Sequence, residues 1–121
     1  MSDTSLEGLF PKITAPLQPL RIEPGWTISY NEFLEADLDT DKDPNTWAMR
    51  KQDLFQATQK KRNRLLDLGW YPEHEVDGAF RIQIYEGDFT GTQLHEFSSR
   101  NRQEVVAEME RLFLVINRGD L

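Results

Sequence analysis

The amino-acid sequence predicts an α+β domain: an antiparallel sheet of about four strands, in the order strand, helix, three-stranded meander, helix, with the helices packed on the sheet. Three observations carry this expectation. Apolar residues alternate with polar ones around Trp26, Ile28 and Tyr30, around Leu66, Leu68 and Trp70, and around Phe80, Ile82 and Ile84, which is the period of a strand with one buried face. Val105, Met109, Leu112 and Ile116 recur instead at helical spacing. The chain has 121 residues and no cysteine, a length that fits one domain burying roughly two-thirds of its unfolded surface without disulfide staples.

Residues 1–19 contain Pro11, Pro16 and Pro19 without periodicity. They read as an extended or flexible arm that lays Leu17 and Leu20 on a single domain spanning residues 20–121. Glu23, Pro24 and Gly25 signal a turn, and the first strand follows with Trp26, Ile28 and Tyr30 on its buried side. Asp43 before Pro44 has the form of an N-cap and first helical residue, which predicts a helix from about residue 45 to 59. Its stripe of Trp47, Arg50 and Leu54 is imperfect because Arg50 falls on it. A continuous helix through Leu68 would also fit, but the alternation and the Trp70–Tyr71 pair favour a strand over 64–71. A polar loop at 72–78 then joins it to a strand over 79–86, making a hairpin. A turn at 87–91 leads to a third meander strand over 92–97. Ser98 or Ser99 is placed to cap the last helix, and Gly119 to end it.

Composition excludes several functions. Without cysteine there is no thiol nucleophile, zinc ribbon or disulfide framework. The longest apolar run is residues 112–116, far short of a membrane span. The first twenty residues carry acids and prolines rather than a basic start and an apolar stretch, so no secretion signal is expected and the cytoplasm is the expected compartment. A formal charge of −7 disfavours nucleic acid and anionic membranes as partners and favours a cationic one.

The densest charge lies at residues 31–45, where Glu32, Glu35, Asp37, Asp39, Asp41 and Asp43 face a single cation, Lys42. Aspartates at alternate positions resemble a calcium loop. A loop starting at Asp37 would need glycine at its sixth position and glutamate at its twelfth, and those positions hold Lys42 and Ala48. The run is therefore either a solvated turn or a binding surface. Six acids within twelve residues repel one another, and Tyr30, Phe33 and Trp47 flank them. Aromatic anchors with steering charge are the composition of a protein interface. A second acidic cluster, Glu73, His74, Glu75 and Asp77, sits in the predicted hairpin loop beside Trp70 and Tyr71. Its histidine and carboxylates are adjacent rather than spaced around a focus, so a surface loop is expected instead of a metal or acid–base site. No catalytic constellation is legible, and no cofactor or metal is expected.

Together, "GWTISYNEF" with the acidic stretch after it, "QDLFQ", "LLDLGWYPE", "GAFRIQIYEGD" and "SRNRQEVVAEMERL" resemble the small immunity proteins of bacterial polymorphic toxin systems, including the contact-dependent inhibition and Rhs types. The likeness of pattern and length covers about residues 20–118. It implies a cytoplasmic, non-enzymatic protein that binds and neutralises the C-terminal domain of a cognate toxin, often a basic nuclease; the core pattern, without any complete metal-ligand set, separately predicts a chain that folds alone as a monomer or weak dimer. Under that reading Glu32, Glu35, Asp37, Asp39, Asp41 and Asp43, with Trp70, Tyr71, Glu73, Glu75 and Asp77, are the expected contact residues. The alternative is a small non-catalytic adaptor or regulatory module that binds a basic protein surface.

Overall fold

In the computed structural model, residues 15–39 and 47–121 are described, the side chain of Trp47 excepted. Their strands are β1 (Trp26–Asn31), β2 (Phe55–Gln59), β3 (Arg64–Tyr71), β4 (Ala79–Glu86) and β5 (Gln93–Ser99), followed by one helix, α1 (Arg102–Asn117). Each strand pairs antiparallel with the next, in the spatial order β1-β2-β3-β4-β5. Among the described residues the fold is a five-stranded meander followed by one C-terminal helix, not the expected sheet of about four strands in the order strand, helix, three-stranded meander, helix.

The difference lies in residues 45–59. Where a helix was expected there is a single 3₁₀ turn, Trp47–Met49, and then β2. Residues 41–46 lie outside the described residues, and with them the expected Asp43–Pro44 cap. In β2, Phe55, Ala57 and Gln59 are buried while Gln56 and Thr58 are half-buried, a period of two that a helix cannot satisfy. Pairing on both sides decides the outcome: Ala57 lies opposite Ile28 of β1 and Leu66 of β3. Residues 60–63 are consequently a hairpin turn and not a helix exit. Asn63 takes a left-handed φ of 60° there, a conformation asparagine tolerates better than most residues. The expected β3–β4 hairpin is present in full register, from Arg64 opposite Glu86 to Tyr71 opposite Ala79.

Strand register assigns the two faces. Phe55, Leu66, Leu68, Trp70, Phe80, Ile82 and Ile84 are all buried with Val105, Met109, Leu112, Phe113 and Ile116 of α1. Edge-to-face rings tie this core together, Trp26 to Phe113 at 5.0 Å and Trp70 to Phe80 at 5.0 Å, the geometry that aromatic quadrupoles prefer. A bulge between Ile28 and Tyr30 places Tyr30 across from Gln56. Tyr30 therefore leaves the face shared by Trp26 and Ile28, against the sequence expectation, because one extra residue in a strand reverses side-chain parity.

The helix cap is Asn101, whose side chain accepts from the Glu104 N–H at 3.0 Å. Ser98 and Ser99 are instead paired in β5 with Arg81 and Phe80. Gly119, at φ 82°, ends the helix as expected. Before β1, the Gln18 N–H donates to the Phe33 carbonyl and the Glu35 N–H to that of Pro16, both at 2.8 Å. Leu20 packs on the core, whereas Leu17 is half exposed.

Candidate functional site

The segment after β1 is shaped by two buried anchors. Phe33 and Leu38 enter the core, so the residues between them are held at the surface. Glu32, Glu35 and Asp37 are exposed and Asp39 is half-buried. Glu32 pairs with Lys51, whose ammonium also lies 6.0 Å from the centroid of the Tyr30 ring. The hydrogen bond from Lys51 holds the Glu32 carboxyl below its ordinary pKa. Asp37 Oδ1 accepts from Arg102 Nε at 3.1 Å. Asp41 and Asp43 lie outside the described residues.

Glu73, His74, Glu75 and Asp77 are exposed on the β3–β4 loop. Trp70 presents no surface, being wholly buried. Its indole N–H donates to the Glu75 carbonyl at 2.6 Å, so the residue fixes the loop from below. Tyr71, at the end of β3, is half-buried and passes directly into this loop.

Two arginines bring the acidic segments to one edge of the molecule. The Arg100 guanidinium donates to the carbonyls of Gly78 at 2.6 Å, Val76 at 3.2 Å and Asp39 at 3.2 Å. Arg50 is buried; its Nε donates to the Leu38 carbonyl at 3.0 Å, and its own carbonyl accepts the His74 N–H at 2.6 Å. The result is a rim in which the backbone at Leu38 and Asp39 is tied to the loop that carries Glu73, Glu75 and Asp77. Planar guanidinium groups with several donors suit this bridging of carbonyls. Among the described residues no three histidine, aspartate or glutamate side chains converge as a metal cage.

The sheet face away from α1 carries a second group of polar residues. Cross-strand pairing places Asp67 of β3 between Gln56 and Gln83. Asp67 is only 4% exposed. The Gln56 amide nitrogen reaches Asp67 Oδ1 at 3.3 Å and Asp53 Oδ1 at 3.4 Å. Burial first, and then the charge of Asp53, push the Asp67 carboxyl up to about 6, against the lowering effect of the Gln56 hydrogen bond. Tyr71 carries the Arg81 guanidinium over its ring at 4.5 Å, and Tyr85 lies 5.5 Å from the exposed ring of Phe89. Gly69 allows the preceding segment to cross here: a Cβ on it would lie 2.0 Å from the Gln52 carbonyl oxygen. A strand glycine often marks such a close backbone approach.

Sequence reasoning did not single out Asp67, because the face is assembled only once β2 is a strand. It also read Arg50 as a flaw in a helix and Arg100 as part of a helix start. The legible signal was a row of non-apolar residues, Asp67, Tyr71, Arg81 and Tyr85, at outward positions of two paired strands. Comparisons with protein-family models, curated proteins and solved structures return no match. No helix of the described residues is long and apolar enough to cross a membrane.

Proposed function

We propose that the chain is a non-catalytic immunity protein that binds a cognate toxin domain in the bacterial cytoplasm, as its sequence resemblance implies, and that the acidic rim is the surface it offers. One observation supports this reading above the others. Two acidic loops, separated by more than thirty positions of sequence, are held side by side through Arg100. Arg102 pairs with Asp37 and Arg100 adds a second cation, but among the described residues no ion pair involves Asp39, Glu73, Glu75 or Asp77, and a cationic partner offsets the repulsion that remains. A nuclease toxin binds phosphates through cationic residues, and clustered carboxylates compete for the same groups.

The partner to measure is the C-terminal domain of a toxin encoded immediately upstream of this gene. A binding partner without a neighbouring toxin gene would favour the adaptor reading instead. Asp37, Asp39 and Asp41 are replaced together by lysine, and Glu73, Glu75 and Asp77 in a second variant. Wild-type association should slow as salt rises, and each variant should lose much of that dependence and protect toxin-expressing cells less well. Variants that bind and protect as wild type does would reduce the rim to a solvated surface.

A further inference from the structure

The sheet face opposite α1 contains a carboxylate that the fold does not neutralise. Every group beside Asp67 on that face can be named. Gln56 and Gln83 are its cross-strand neighbours on β2 and β4, and Leu65 and Gly69 are its same-face neighbours along β3. Asp53, just before β2, shares the Gln56 amide with it. None is a cation. Arg81, opposite Gly69 on the same face, lies over the ring of Tyr71, and Lys51 pairs with Glu32. Among the described residues no ion pair involves Asp67 or Asp53.

Gln56 supplies one amide contact to each carboxylate, and a carboxylate has room for about four donors. An almost fully buried, singly bonded carboxylate beside a second one is a charge arrangement that an incoming cation completes. Tyr71, on the same face two residues beyond Gly69, already stacks one guanidinium, so the surroundings suit another.

We propose that this sheet face extends the rim's interface, and that the partner protein seats an arginine or lysine side chain on the exposed Asp53 carboxylate beside Tyr71, taking the place of the Gln56 amide to reach Asp67. The proposal rests on the reading of this chain as a binder of a basic protein surface, and it names where that binding is deepest. Tyr71 joins the two regions, because it ends β3 on this face and leads into the Glu73–Asp77 loop. Burial and Asp53 hold the Asp67 carboxyl up at about 6, and a cation seated there would lower it.

The test uses the full-length protein and a defined probe, the capped tripeptide acetyl-Gly-Arg-Gly-amide, with its citrulline analogue as the uncharged control. Amide shifts and the Asp67 carboxyl titration are followed by NMR. The arginine peptide should shift Gln56, Asp67 and Tyr71 saturably and lower the Asp67 titration midpoint, while the citrulline peptide does neither. Asp67→Asn should abolish the shifts at Gln56 and Tyr71. Should that variant fail to fold, Asp53→Asn, at an exposed position, should weaken them several-fold. Shifts confined to residues 35–39 and 73–77 would overturn this inference and leave the rim reading intact. Shifts on the face that persist unchanged in the folded Asp67→Asn protein, or in Asp53→Asn where it is the variant used, would also overturn it. No shift at either region would overturn both.

Discussion

Asp67 is where the stability and the proposed function of this protein pull in opposite directions. Its folded-state pKa of about 6 lies above the ordinary carboxylate value, so the native state holds the proton more tightly than the unfolded chain. The stability contributed by that protonation is complete below about pH 4 and is lost as pH rises through 6. At neutral pH the buried charge therefore opposes folding, by roughly 3 kcal/mol for a shift of about two pH units. Asp67→Asn keeps the shape and removes the charge. Its stability advantage over wild type should grow by about 2 kcal/mol between pH 4.5 and 7.5, read from urea midpoints at both values. An advantage that does not change with pH would refute the account. Gly69 is set by sterics instead. Gly69→Ala drives a methyl to 2.0 Å from the Gln52 oxygen. The flanking bonds from Trp70 N–H to the Lys51 carbonyl and from Leu54 N–H to the Leu68 carbonyl, each 2.9 Å, oppose the shift that would relieve it. A loss of about 3 kcal/mol is expected in urea unfolding, and a loss below half of that would show that the segment yields.

Between elements, the gathering of the two acidic loops rests on Arg50 and Arg100, and Arg100 is the exposed one of the two. Arg100→Ala removes three hydrogen bonds to loop carbonyls without touching the apolar core. The expected cost is about 1–2 kcal/mol, modest because the guanidinium is solvent-accessible. Amide exchange at His74 and Gly78 should quicken by about tenfold, while amides of β3 and β4 keep their protection. Uniform quickening across the sheet would mean that Arg100 supports the whole fold rather than the rim. This dependence on Arg100 also explains what was legible in the sequence. The β3–β4 hairpin and α1 could be read directly, since eight-residue alternation and a sixteen-residue apolar stripe are strong local signals. β2 could not. It has five residues, follows an Asp-Pro pair with the form of a helix start, and owes its conformation to pairing with β1 and β3, a tertiary influence that local pattern does not carry. The rim was half legible for the same reason. Both acidic runs stand out in the sequence, but their adjacency rests on the contacts of Arg50 and Arg100 with distant carbonyls. The Asp67 site was hidden behind the misread β2, which supplies Gln56 and, just before it, Asp53.

At the scale of the molecule, rim and sheet face differ in depth, and depth separates their kinetic roles. A net charge of −7 acts on a basic partner before contact, and exposed carboxylates such as those of Glu73, Glu75 and Asp77 contribute through the long-range field. That field is screened within about 8 Å at physiological ionic strength, so it governs encounter more than residence. Asp67 is almost fully buried and meets the partner only after water has left the face. A cation seated on it is held in a medium of low polarity and is released slowly. Lysine at Glu73, Glu75 and Asp77 should accordingly lower the association rate with the proposed toxin domain by about tenfold or more at low salt and leave dissociation nearly unchanged. Asp67→Asn should do the reverse, leaving association within about twofold of wild type and raising dissociation at least tenfold. Surface-immobilised kinetics over a salt series resolve the two, and the rate constants of the combined variant should change by the product of the single changes if the regions act independently. If instead both variants act only on association, the sheet face contributes charge alone and the partner does not reach Asp67.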